Sequence, residues 1–289
     1  MPGWLCGRAA GERRGIYRNG RALNNPLGPQ MGVTLQPWED ERMFKRFSLV
    51  AVMLVALGLL GGCITDQHLS AAGDLYTAAT ISNEELIQLS KEMRAVGDKE
   101  NKVATGKNKY AQRLTRLTKR FEKEDGLTLN FKVYITSDVN ANATADGSIR
   151  VYSGLMDMMT DNELIFVIGH EIGHVADGDS LDKIRMAYGS SGALKAAASA
   201  DKRAGAALNS SQLGDLLHAV LNAQFSQKQE SEADAYGYNL MKKYKIDPKA
   251  AVSALEKLGG GPADIMSSHP GSADRAKKIQ SMIDADVKK

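Results

Sequence analysis

Cysteine is nearly missing from this sequence: Cys6 and Cys63 are the only two in 289 residues. A disulfide framework and a cysteine-rich zinc finger are therefore excluded. A surplus of one charge is missing too. There are 37 Lys and Arg against 34 Asp and Glu. Residues 1–62 hold eight of the basic and four of the acidic residues, which leaves 29 basic and 30 acidic for the remainder. A near-neutral body lacks the basic face that nucleic-acid binding needs, so no nucleic-acid partner is expected. Long apolar runs are also scarce. The most apolar, Phe47–Leu60 (FSLVAVMLVALGLL), has about fourteen residues. As a helix it would span about 21 Å, short of the roughly 30 Å hydrocarbon core of a bilayer. What is plentiful is ordinary globular material: 43% hydrophobic and 25% charged residues, enough to bury a core and too apolar for wholesale disorder.

The flanks of the apolar run give it a meaning. Met43-Phe44-Lys45-Arg46 is a short basic stretch before it, and Leu60-Gly61-Gly62-Cys63 closes it with small residues and a cysteine. That is the layout of a signal peptide. Its last four residues resemble a bacterial lipobox, which implies acylation of Cys63 after cleavage before it. The expected organisation is an extension over 1–42, non-native or disordered, a lipoprotein signal peptide over 43–62, a lipidated tether over 63–82 and a catalytic domain over 83–289. With Cys6 in the excluded extension and Cys63 acylated, the mature chain carries no free thiol, which suits an oxidising compartment.

Beyond the tether the periodicity is mostly helical. Ser82 with Glu85 is a capping-box pattern opening a helix near Asn83–Val96. A second helix is read over Lys109–Lys123, with Leu114 and Leu117 inward. Leu129–Thr136 alternates as a strand, and Ile149–Ser153 is a second, reached through a turn-rich stretch, Ser137–Ser148. Thr160 with Glu163 opens an apolar helix to about Val175. An Ala- and Ser-rich helical region over Leu181–Leu208 and one long helix over Ser210–Tyr244 follow. Asp247-Pro248 starts another helix that ends before Gly259, and Ser272–Ile283 is the last. The fold class is α+β: mostly helical, with one small sheet.

The chemistry is concentrated in His170-Glu171-Ile172-Gly173-His174. Two histidines four apart on a helix lie about 40° apart in azimuth, so both imidazoles leave one face and can chelate a zinc ion. The intervening glutamate can reach water at that ion and act as general base. Burying such groups in the apolar helix Leu164–Gly169 would be costly without a function. A catalytic zinc needs a third protein ligand. Asp177 and Ser180 occupy the positions where the metzincin pattern has Gly and His, which excludes that class. No glutamate occurs between Glu171 and Glu230, so Glu230 is the candidate third ligand. Asp234, one turn on, is placed to accept a hydrogen bond from a ligating histidine.

HEIGH on one helix and Glu230-Ser231-Glu232-Ala233-Asp234 on a later one resemble the membrane-associated zinc metallopeptidases of the HtpX and CAAX-protease family. VYSGLMDMMTDNE before the motif, LGDLLHAVLNAQFSQKQESEAD after it and SSHPGSADRA near the end resemble its LoiP- and BepA-like periplasmic lipoproteins. The resemblance covers Ser82 to Asp284 and the lipobox. It implies a zincin-like domain with its sheet beside the active-site helix. It also implies one zinc ion per chain on His170, His174 and Glu230, with Glu171 as the catalytic base and acid. Ser148 stands where a cysteine is expected in LoiP-like members, so a disulfide there is absent. The activity implied is a zinc metalloendopeptidase, lipid-anchored at the outer membrane and facing the periplasm. It would degrade misfolded or misassembled envelope proteins, with the outer-membrane assembly machinery as a partner. The alternative is an assembly factor or chaperone with little proteolysis.

Three further residues carry expectations. His269, in Ser267-Ser268-His269-Pro270-Gly271, is a candidate fourth zinc ligand that closes the site, as the matching loop of BepA-like relatives implies. Arg275, on the following helix, is a candidate for placing that loop or the substrate. The strand Ile149–Ser153 is a candidate edge for an extended substrate, the alternative being a purely structural strand.

Overall fold

A computed structural model describes residues 81–190, 208–259, 268–269 and 272–288. All of them fall in the compact unit Gly62–Lys289. The expectations for the extension, the signal peptide, Cys63 and the tether lie outside the described residues. No helix among the described residues is long and apolar enough to cross a membrane.

Helix α1 (Asn83–Glu100) opens with the expected capping box, in which Ser82 and Glu85 satisfy each other's backbone N–H groups. Helix α2 (Lys109–Thr118) follows, capped by Asn108 and buried through Leu114 and Leu117. A tight hairpin joins β1 (Lys123–Glu124) to β2 (Leu127–Thr128). Asp125 and Gly126 turn it with φ of 48° and 80°, the left-handed pair such two-residue turns require.

The main sheet has three strands, β3 (Asn130–Tyr134), β4 (Ala141–Ala143) and β5 (Ser148–Tyr152), in the order β3-β5-β4. Val133 pairs with Val151 in the parallel β3–β5 ladder, and Asn142 with Arg150 in the antiparallel β4–β5 ladder. Two expectations are corrected here. The stretch Ser137–Ser148 contains a strand, β4, that its composition did not announce. The strand near Ile149–Ser153 is central and paired on both sides, so it has no free edge for a substrate. The outer strand on that side is β4.

After the short helix α3 (Ser153–Met158) comes α4 (Asp161–Ala176), opened by the Thr160–Glu163 capping box and carrying the HEIGH motif. Thirteen of its sixteen residues are buried, so it is enclosed on nearly every side and runs through the middle of the domain. Helix α5 (Asp179–Ser190) accounts for the described part of the Ala/Ser-rich region. The long helix expected over Ser210–Tyr244 is two, α6 (Ser210–Asn222) and α7 (Gln227–Lys243). Ala223 is extended, and Ser226 with Gln229 forms a fresh capping box that restarts the helix. Helices α8 (Lys249–Gly259) and α9 (Ser272–Val287) complete the chain, Gly259 being the last residue of α8 instead of the one beyond it.

Two apolar cores result. The larger gathers the sheet, α4, α7, α8 and α9 around Phe121, Ile149, Phe166 and Ile168. The smaller packs α1, α5 and α6 through Leu86, Met93, Ile184 and Leu216. Each fully buried side chain of this size contributes about 1.5–3 kcal/mol. A polar layer sews the cores together. Asp98 on α1 accepts from Arg150 at 2.7 and 3.0 Å, from Lys132 at 2.7 Å and from the Tyr134 hydroxyl at 2.8 Å. Arg94, one turn earlier and buried, donates to Asn142 Oδ1 at 2.7 Å and so ties α1 to the outer strand β4.

Helices α4 and α7 meet backbone to backbone. A Cβ on Gly169 would lie 2.9 Å from the Gly237 Cα, and one on Gly237 would lie 3.1 Å from the His170 nitrogen. Only glycine fits such a contact without parting the helices.

Candidate active site

The α4–α7 contact decides where the chemistry sits. Gly169 and Gly237 bring the helix of His170 and His174 against the helix of Glu230 and Asp234, so two pairs of side chains far apart in sequence meet in one buried place. His170 Nε2 and His174 Nε2 are 3.1 Å apart. Glu230 lies 3.4 Å from His174 Nε2 and 3.8 Å from His170 Nε2. His269 brings its Nδ1 to the same point, 2.8 Å from Glu230 Oε1 and 3.2 Å from His170 Nε2.

The other side of each ring explains this crowding. His170 Nδ1 lies 3.0 Å from Asp234 Oδ1, and His174 Nδ1 lies 2.8 Å from Asp179 Oδ2. An ionised carboxylate only accepts, so each Nδ1 carries the proton and donates. Both Nε2 atoms are then bare lone pairs, facing one another and a carboxylate. Such a convergence of acceptors is repulsive unless a cation sits among them. The ligating atoms of His170, His174, Glu230 and His269 all lie within 4.8 Å of one another. Tetrahedral zinc with bonds of about 2.0–2.1 Å places its ligands roughly 3.3 Å apart, so the donor set fits such an ion.

Electrostatics agree with the geometry. Burial alone would raise the Glu230 carboxyl; without a metal ion, protonated His170, His174 and His269 stand in for the cation and hold it far below the usual carboxylate range. Burial also works against Asp234, and the Arg275 guanidinium outweighs it, donating through Nε and Nη2 at 2.7 Å each. Arg275 Nη1 pairs with Glu230 as well. Arg275 thus stands behind the carboxylates and holds them.

Glu171 is 2% exposed and lies between two cavities. One is walled by Phe166, Val167, Leu255 and Leu258. The other is walled by Ala143 of β4, Ser180, Lys183, Val220, Leu221 and Phe225. His269 borders both, with its Nε2 3.6 Å from Glu171.

A family model, Peptidase family M48, matches residues 108–283. The chain belongs to peptidase family M48. Metalloprotease YcaL of Escherichia coli (strain K12) is 39% identical over 250 residues, covering 83% of this chain and 98% of that protein. Metalloprotease LoiP of the same organism is 40% identical over 246 residues, covering 83% and 97%. The mitochondrial metalloendopeptidase OMA1 of Schizosaccharomyces pombe is 29% identical over 191 residues, covering 61% and 54%. This M48 chain is a metalloendopeptidase with an α+β fold, as the motif implied, and the buried His and Glu group fits the metal ion of such an enzyme.

Three members of this M48 site escaped the sequence reading. Asp179, which faces His174, follows the left-handed Gly178 just past the end of α4, where no periodic pattern marks it. Phe225 stacks on the His174 ring with centroids 3.6 Å apart, and its N–H donates to the Ser268 carbonyl at 3.4 Å. It sits in the break between α6 and α7, which the expected single helix concealed. Lys183 holds its Nζ 3.3 Å from the centre of the Phe225 ring, and burial pushes its pKa down to about 8.

Proposed function

We propose that the chain is a zinc-dependent endopeptidase of the bacterial envelope. The zinc would be held by His170, His174 and Glu230, with Asp234 and Asp179 orienting the two imidazoles. The observation that carries this reading is the meeting of two bare Nε2 atoms and a carboxylate beside Glu171. Zinc, when bound, supplies a Lewis acid for the scissile carbonyl and for water. Glu171 accepts the proton of the attacking water and delivers it to the leaving amine. The outer edge of β4, unpaired among the described residues, is open to an extended peptide, and Asn142 and Ala143 border the same cavity as Glu171.

His269 is the resting plug in this reading: its Nδ1 occupies the place substrate or water must take, and proteolysis requires it to leave. A four-ligand site is closed to hydrolysis. This same feature supports the second reading, an assembly factor or chaperone that cuts little. Acylation at Cys63 would hold the enzyme on the outer membrane, facing the periplasm, where its substrates are misfolded or misassembled envelope proteins. Ile64 follows Cys63 in place of the aspartate that marks inner-membrane retention.

The deciding experiment compares casein degradation by the zinc-loaded chain and its Glu171→Gln variant, with zinc measured on both. The variant is expected to keep its zinc and lose about 10²–10⁴-fold in rate. Activity within tenfold of the parent would refute the role of Glu171. In parallel, His269→Ala is expected to keep zinc and raise the rate; a lower rate with zinc retained would make His269 a transition-state group instead of a plug.

A further inference from the structure

The cavity on the β4 side of Glu171 has polar groups that the peptidase mechanism does not use. Val220 and Leu221 from α6 and Phe225 from the break before α7 form its apolar wall, and Asn142, Glu171 and His269 line the side towards the catalytic groups. Two donors from α5 enter it. Ser180 is 3% exposed, and its Oγ has no hydrogen-bond partner among the described residues. A buried hydroxyl without a partner costs roughly 1–3 kcal/mol, so it is retained only where something else supplies the acceptor. The second donor is Lys183. Its ammonium rests on the face of Phe225, whose opposite face lies on His174, so ring and cation form one stack leading to the site. Among the described residues no carboxylate comes within ion-pair distance of that ammonium. The stack holds the lysine in one place before any ligand arrives, which lowers the ordering cost of binding.

A preordered ammonium and a free hydroxyl, three residues apart on one helix and set beside an apolar wall, are complementary to a carboxylate on a short apolar stem. We propose that Ser180 and Lys183 form a specificity subsite that receives a glutamate or aspartate side chain of the peptide beside the scissile bond. The inference rests on the peptidase reading above and adds the substrate chemistry to it. The aliphatic part of the acidic side chain packs on Val220 and Leu221, Lys183 meets its charge, and Ser180 donates to the second oxygen. Lys183 and Ser180 act on binding and register; Glu171 keeps the proton transfers.

The test uses internally quenched peptides that differ only in a Glu, Gln or Lys moved across the positions flanking the scissile bond. They are cleaved by the full chain loaded with zinc. At one position the wild-type kcat/KM is expected to favour Glu over Lys about tenfold, the size of one partly screened charge contact. Lys183→Glu is expected to invert that order, Lys183→Met to level it, and Lys183→Arg to keep it. Ser180→Ala should narrow the preference for Glu over Gln. Zinc content and circular dichroism on each variant separate lost selectivity from lost structure. A Glu-to-Lys ratio unchanged in Lys183→Met would overturn the subsite. So would an equal loss on all three peptides, which would make Lys183 a countercharge to Glu171. A zinc-loaded wild type that cleaves none of the peptides would remove the peptidase reading itself, and the subsite with it.

Discussion

The larger core and the smaller one solve the same packing problem differently. Around α4 the contacts that matter are main chain to main chain, with Gly169 against Gly237 and Gly173 against Ala233. Around α1, α5 and α6 they are leucine side chains on leucine side chains, Leu86, Leu213, Leu216 and Leu217. A side-chain contact can relax when a neighbour changes, because rotamers and small shifts absorb part of the strain. A backbone contact cannot, since moving one helix moves every residue on it. The donor atoms of the site hang from the rigid contact. Lys183, Ser180 and the Val220 and Leu221 wall of the second cavity hang from the compliant one. The metal-binding geometry and the substrate-facing surface are thereby separable in this molecule.

That separation can be broken directly. Gly237→Leu forces its side chain against the Phe166 carbonyl and the His170 nitrogen. It is expected to cost about 3 kcal/mol or more and to abolish stoichiometric zinc binding, measured by thermal unfolding and metal analysis. Asp98→Asn attacks the layer between the cores. It leaves Arg150, 1% exposed, without its carboxylate and should cost about 3–5 kcal/mol in chemical denaturation. Leu216→Ala hollows the compliant core for about 2–5 kcal/mol, yet zinc binding at saturating metal should persist. Loss of zinc in this variant at temperatures where it remains folded would show that the two regions are not separable.

Smaller effects sharpen the contrast inside the site. Asp234→Asn and Asp179→Asn each weaken a carboxylate that orients one histidine, and each is expected to lower zinc affinity by about 10–100-fold. The loss should be greater at Asp234, because Arg275 would lose one of its two buried carboxylate partners. Competition with a fluorescent chelator measures both. Acid should act on the layer between the cores. Burial would raise the Asp98 carboxyl, but Arg150 and Lys132 hold it well below its ordinary value of 3.8. The unfolded chain takes up that proton near pH 4 and the folded chain only below it, so this stabilisation is complete above about pH 4 and fades as the pH falls further. Asp98→Asn should flatten that part of the stability-against-pH curve.

The active-site helix was legible because three signals coincide in it: a capping box, a continuous apolar run and a histidine spacing that matches the helical period. Glu230 and Asp234 were legible by elimination and by their shared face. The break between α6 and α7 was not, although Ser226 and Gln229 carry the capping-box pattern, because the helical periodicity continues on both sides of it. Strand β4 was hidden for a different reason. Ala141, Asn142 and Ala143 have little intrinsic preference for strand, and pairing with β5 makes them one. The same pairing removed the free edge from Ile149–Ser153, since alternation along a strand does not reveal how many neighbours it has. Asp179 opens α5 and Phe225 lies between two helices, positions where only the folded chain says what they face.

The close approach of Gly169 to Gly237 also acts as a gauge for ions. Because the ligand-bearing helices cannot be drawn nearer or pushed apart by repacking side chains, the opening between His170, His174 and Glu230 has a fixed bore. A calcium ion, which wants 6–8 oxygens at about 2.3–2.6 Å, finds neither the room nor the donors there. Two methyl-sized groups missing from facing helices, one on Gly169 beside His170 and one on Gly237 about two turns along α7 from Glu230, thereby bear on which ion the donor set fits.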